Sequence, residues 1–286
     1  MSPRATFRWS VRREIWEHRG IYLAPLAIAA LVLLGFFIHV SQWAGNLKGI
    51  EALAPAKQLN AVFLPFGIGA SVILLTGWIV GVFYCLDALN AERRDRSILF
   101  WKSMPVSDLT TVLAKAAIPM GVLPLVAIAV AWATQIVMLV VGSATLAAKG
   151  MSPSIPWSYV PWVQTAIGML YGMAAHALWF APIFGWLLLV SAWAKRSPFL
   201  WAFMPFFAAM VLEKIAFGTQ YVWFLVGYRI TGGMRAFKAD IKDPITQLSQ
   251  LDPLSFLALP GLWLGLVFAV VCIAAAVRLR RRREPI

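Results

Sequence analysis

Apolar runs separated by short polar connections organise the chain. They cover residues 21–40, 62–86, 116–141, 163–194, 198–217 and 260–277. About 20 consecutive apolar residues in a helix cross the hydrocarbon core of a bilayer, and each run is near or above that length. The pattern predicts an all-α fold, a polytopic membrane protein with six transmembrane helices and a single membrane domain over 1–286. The third run starts through Pro119 and Pro124, and the fourth is long enough to tilt or to begin as a surface helix.

The polar flanks carry their own patterns. In residues 1–20, Phe7, Val11 and Ile15 recur at i, i+4 and i+8 beside a stripe of Arg8, Arg12 and Arg19. This spacing predicts an N-terminal amphipathic helix lying in the headgroup region, with Trp9 and Trp16 as interfacial anchors. The bland alternative is a basic flank that only sets topology. In residues 218–259 the patch Tyr221–Tyr228 is apolar but too short to cross, which fits a re-entrant or interfacial helix. Asp240, Asp243 and Asp252 make the rest of that segment a solvated cap.

Composition agrees with the pattern. Charged residues make up 13% of the chain, where a soluble domain carries about 25%. Mean hydropathy is +0.77. The net charge of +13 sits at the edges of the apolar runs, in Arg8, Arg12 and Arg13 at the front and Arg280–Arg283 at the end. Such flanks attract anionic lipid headgroups and set topology; no basic groove interleaved with aromatics is left over for nucleic acid. Seventeen Lys and Arg fall on the side of the termini and eight on the other, so both termini are expected in the cytoplasm. The first run, starting at Ile21 with no A-x-A site after it, reads as a retained span. Cys85 and Cys272 read as small buried hydrophobes rather than a disulfide framework.

Chemistry within the runs is sparse. His39 and Glu213 lie near the outer ends, Asp87 at an inner end, and His176 near a midplane; Gln135 reads as a hydrogen-bonding link between helices. No H-E-x-x-H, G-x-S-x-G or G-x-x-x-x-G-K-[ST] pattern is present, so neither a membrane hydrolase nor a self-powered pump is indicated. Work by this chain would draw its energy from a partner.

The densest polar block runs from Tyr84 to Lys115. It is expected to face water or another protein, with Glu92 and Arg96 paired at i, i+4 on a helix that extends beyond the bilayer. Ile98–Trp101 forms an exposed apolar cluster. Ser107 caps a new helix at Asp108 whose apolar face is Leu109, Val112 and Leu113. Exposed aromatics rimmed by charge suit a protein-binding surface.

The run Glu92 to Ser107 resembles the loop between the second and third spans in permease subunits of type 2 ATP-binding-cassette exporters. Arg12 to Gly20, R-R-E-I-W-E-H-R-G, resembles the connecting helix of that family. The resemblance implies a bacterial inner-membrane export permease paired with a second permease copy, as a homodimer, and docked on a separate cytoplasmic ATPase. ATP and Mg would be held by that ATPase, and no cofactor by this chain. It implies ATPase coupling through Glu92, Arg93, Arg94, Asp95, Arg96, Ser97, Phe100, Trp101, Lys102, Pro105 and Ser107. It further implies a translocation route at the dimer interface, lined by Ser71, Thr76, Trp78 and Tyr84 of the second span and Met204, Phe206, Phe207 and Met210 of the fifth. Two alternatives are an ion-coupled secondary transporter using His176 and a non-transporting scaffold that recruits a partner through the same loop.

Overall fold

A computed structural model describes residues 2–104, 106–238 and 247–282. Among them the architecture is all-α, with one isolated bridge between Phe237 and Leu251 and no strand. The helices are α1 (Pro3–Glu17), α2 (Gly20–Asn46), α3 (Pro55–Ala88), α4 (Asn90–Arg94), α5 (Ser97–Ser103), α6 (Asp108–Ala117), α7 (Leu123–Ala148), α8 (Ile155–Ser158), α9 (Trp162–Trp193), α10 (Pro198–Phe217), α11 (Tyr221–Thr231), α12 (Pro253–Leu257) and α13 (Pro260–Arg282). Six stretches are long and apolar enough to cross a membrane, built on α2, α3, α7, α9, α10 and α13. An even number of spans puts both chain ends on one side, called the termini end below. Asp240, Asp243 and Arg283 lie outside the described residues.

Two spans are longer than their apolar runs. The second continues through α4 as a stretch reaching Arg94, and the third starts at Asp108 and absorbs α6. Between α6 and α7 the chain makes one π turn, Ile118–Val122. Pro119 causes it: proline has no N–H to donate and its ring crowds the carbonyl one turn back, and the wider turn relieves both.

Close helix approach rests on small residues, because lipid is as apolar as leucine and van der Waals contact must replace the hydrophobic drive. A Cβ at Gly185 of α9 would fall 3.2 Å from both the Cα and the carbonyl oxygen of Ala269 in α13. A Cβ at Gly77 of α3 would meet the Cβ of Ala127 in α7 at 3.2 Å. Gln135 Nε2 of α7 also donates to the Phe66 carbonyl of α3 at 3.5 Å, the interhelical link its position suggested. Both cysteines are free and buried.

Helix α10 is the exception. Ala202 is its one buried residue. It leaves α9 through Ser197 at φ 50° and ends on Gly218 at φ 67°, where glycine's missing Cβ permits the left-handed turn. That turn folds α11 back beside α10. The Glu213 carboxylate accepts from the N–H groups of Tyr221 (2.5 Å) and Val222 (2.8 Å), capping α11 across the turn. At the other end of α11, Arg229 donates to the carbonyls of Trp179 (3.1 Å) and Gly261 (2.9 Å), pinning the hairpin to α9 and α13.

Gly185→Leu is expected to force α9 and α13 apart and cost on the order of 1–3 kcal/mol, lowering the thermal midpoint of the detergent-solubilised protein. Gly35→Ala, where a new Cβ meets nothing within 4 Å, should leave that midpoint unchanged or raise it slightly. Equal midpoints for the two variants would contradict the packing account.

Candidate functional site

The termini end holds a buried ion cluster contributed by five helices. Lys115 of α6 is 1% exposed, and its Nζ lies 3.0 Å from Glu14 Oε1 of α1 and 3.1 Å from Glu92 Oε1 of α4. Arg280 of α13 donates to Glu92 and, through Nε at 3.0 Å, to Asp108 of α6. Tyr84 of α3 donates its hydroxyl to Glu14 Oε2 at 2.7 Å, and Arg13 lies 3.6 Å from Glu92. Glu14, Glu92, Lys115 and Arg280 are buried and Arg13 and Asp108 half-buried, so carboxylates and cations balance, the condition under which charges tolerate burial. Burial alone would push the Glu14 carboxyl upward. The charge of Lys115, the Tyr84 hydroxyl and Arg13 overcome that and hold it at about 2.

Glu14, Glu17 and His18 bring ligand atoms within 4.8 Å of one another. Both Glu14 oxygens are already engaged by Lys115, Arg13 and Tyr84, which argues against Glu14 serving as a metal ligand.

A second set of bonds joins α4 to the end of α9. The Ser191 hydroxyl accepts from the N–H groups of Leu89 and Asn90, both at 3.0 Å, at the break between α3 and α4. Asn90 donates to the carbonyl of Ala194 and Arg93 to that of Ala192, groups a helix C-terminus leaves without partners.

This geometry corrects several expectations. The charged block does not all face water: Glu92 and Arg93 are buried. Glu92 does not pair with Arg96, whose φ of 58° ends the helix before that turn completes. In the N-terminal stripe, Val11 and Ile15 are partly buried against the apolar cluster that holds Cys85 and Leu188, while Trp9 and Trp16 are exposed. On α6 Val112 is buried, but Leu109 and Leu113 are exposed. Lys115 must meet two carboxylates, and that polar demand rotates the helix away from its apolar stripe. The Ile98–Trp101 cluster divides: Ile98 is buried, Leu99 and Phe100 are each 59% exposed, and the Trp101 ring lies under the Arg13 guanidinium at 4.0 Å.

The remaining block residues sit nearer the surface. Arg94 pairs with Asp87 (3.5 Å) and Asp95 (3.3 Å), and Ser97 donates to the Glu92 carbonyl. Ser107 accepts from Thr110 N–H at 3.1 Å, the cap its position predicted. Pro105 and the side chain of Lys102 lie outside the described residues.

The residues assigned to a translocation route do not converge within one copy. Ser71 and Trp78 line a cavity of about 630 Å³ between α3, α7 and α9, together with His176. Thr76 bonds back to the Val72 carbonyl on its own helix. Tyr84 belongs to the ion cluster. On α10, Met204 and Phe207 are exposed, and Phe206 packs edge-on to Trp186 of α9. His176 lies between the rings of Phe180 and Phe184.

Glu14, Lys115 and Arg280 were missed as a set. The available signal was Glu14, an acid sharing a helical face with Ser10 and Phe7, away from the arginine stripe. Comparison with protein-family models, curated proteins and solved structures produced no match.

Because the Glu14 carboxyl is depressed, its stabilisation is present above about pH 4.5 and is lost as the pH falls toward about 2. Thermal midpoints across that window should fall more steeply for wild type than for Glu14→Gln, which keeps only the acid sensitivity of the other carboxylates; parallel curves would contradict the assignment. At pH 7, Lys115→Met is expected to cost about 3–5 kcal/mol, as stranding buried carboxylates does.

Proposed function

We propose that the chain is the membrane-spanning permease subunit of an ATP-binding-cassette exporter, coupling hydrolysis on a separate ATPase to movement of its spans. One observation carries this reading. The exposed pair Leu99 and Phe100 sits on a short helix between the second and third spans, and that helix is held by the buried Ile98 and by Trp101 against Arg13. Trp101 stacks on Arg13, Arg13 reaches Glu14 and Glu92, and those carboxylates hold Lys115 and Arg280. A push on α5 would therefore reach α1, α3, α6 and α13 together, as rigid-body coupling requires.

In this reading the termini end is cytoplasmic and α5 enters a cleft on the ATPase. The exposed length of α10, with Met204 and Phe207, pairs with the second permease copy. The family resemblance of residues 92–107 and 12–20 supports the same assignment.

Leu99→Ala with Phe100→Ala should abolish co-purification with a co-expressed ATPase subunit, or stimulation of its hydrolysis, while leaving the thermal midpoint of this chain unchanged. A double variant that still assembles and stimulates hydrolysis as wild type does would remove α5 as the coupling element. Binding without any effect on hydrolysis would favour a recruiting scaffold.

A further inference from the structure

The cavity between α3, α7 and α9 belongs neither to the ion cluster nor to the exposed face of α10. Its α3 wall runs without a break from Asn60 to Trp78, a length of about 27 Å at 1.5 Å per residue. Its α9 wall runs from Thr165 to His176, about 17 Å at the same rise, so the space is drawn out along the two helices rather than round. Small residues and prolines create it. Gly67, Ala70 and Gly77 keep α3 thin, Gly168 and Gly172 do the same for α9, and Pro119 bends the chain away at the π turn.

The lining is uncharged and mostly apolar, with Asn60, Ser71, Thr165 and His176 as neutral polar members. No Asp, Glu, Lys or Arg is present in it. Asn60, within two turns of the start of α3, gives one end an amide able both to donate and to accept, whereas the other end closes on Trp78, Pro119 and Pro124. The slot opens beside Leu64, Ile68 and Val72, an exposed apolar stripe on a helix long enough to span the membrane. A water-filled slot there would leave most of its wall without polar partners. With α3 spanning a bilayer, the medium beside that stripe would be hydrocarbon.

We propose that this slot holds one hydrocarbon chain of a bilayer phospholipid, entering between the α3 stripe and α9, with the neutral ester region of the lipid at Asn60. Length, absence of charge and an opening beside an exposed apolar stripe all fit a linear hydrocarbon chain, and the few polar side chains on the wall are neutral ones that ask for no ionic ligand. This assignment rests only on the membrane character of the fold and stands apart from the permease reading.

The test uses the full chain reconstituted in vesicles of phosphatidylethanolamine and phosphatidylglycerol containing a phosphatidylglycerol with a photoreactive diazirine in its acyl chain. After illumination, labelled peptides are mapped by mass spectrometry. Residues 63–78 and 165–176 should be labelled several-fold above the exposed α13 stripe of Leu264, Val267 and Val271, and excess unreactive phosphatidylglycerol should compete the signal away. Ser71→Trp, placed at the exposed lip where folding is least at risk, should reduce the labelling to the α13 level; Val271→Trp should not affect it. Labelling no greater than at α13, or undiminished in both Ser71→Trp and the competition experiment, would overturn the proposal.

Discussion

The Lys115 ammonium, set between Glu14 and Glu92, is the contact on which the termini end depends. A lysine this buried is tolerated only because two carboxylates meet it, and they are tolerated only because Arg13, Arg280 and Tyr84 share them. None of these groups can be removed without stranding another. The consequence is mechanical as much as energetic: α1, α3, α4, α6 and α13, from distant parts of the chain, meet at one group of atoms. The bonds from Asn90 and Arg93 to the end of α9 extend that body to a sixth helix.

The two ends of the molecule are built differently. At the termini end, ion pairs and hydrogen bonds fasten helices that small-residue packing has already brought close. At the other end, α10 and α11 form a hairpin held by the Glu213 cap and the Arg229 pin, with most of its surface free. The base, cross-linked by ion pairs, should open less readily than the sparsely held hairpin.

The spans were readable from sequence because their length and apolarity are imposed by the bilayer rather than by particular partners. Ser107 was readable because capping is local, complete within three residues. The ion cluster was not, since its bonds join positions far apart: Glu14 to Lys115 and Glu92 to Arg280. Taken singly, Lys115 and Arg280 look like the basic flanks any span carries, and Glu92 looks like the partner of Arg96. The rotation of α6 was hidden for the same reason. Its apolar stripe at Leu109 and Leu113 predicts one buried face, and a charge pair outside the helix selects another.

The central claim is that the cluster makes α1 and the helix bearing Phe100 parts of one body. With Cys85 and Cys272 replaced by alanine, spin labels at Arg8→Cys and Ser103→Cys, both exposed positions, report the distance between them by pulsed electron resonance. One narrow distance is predicted for the otherwise intact chain, and a broad distribution once Lys115→Met is added, in protein that still elutes as wild type. An equally narrow distribution without Lys115 would contradict the account.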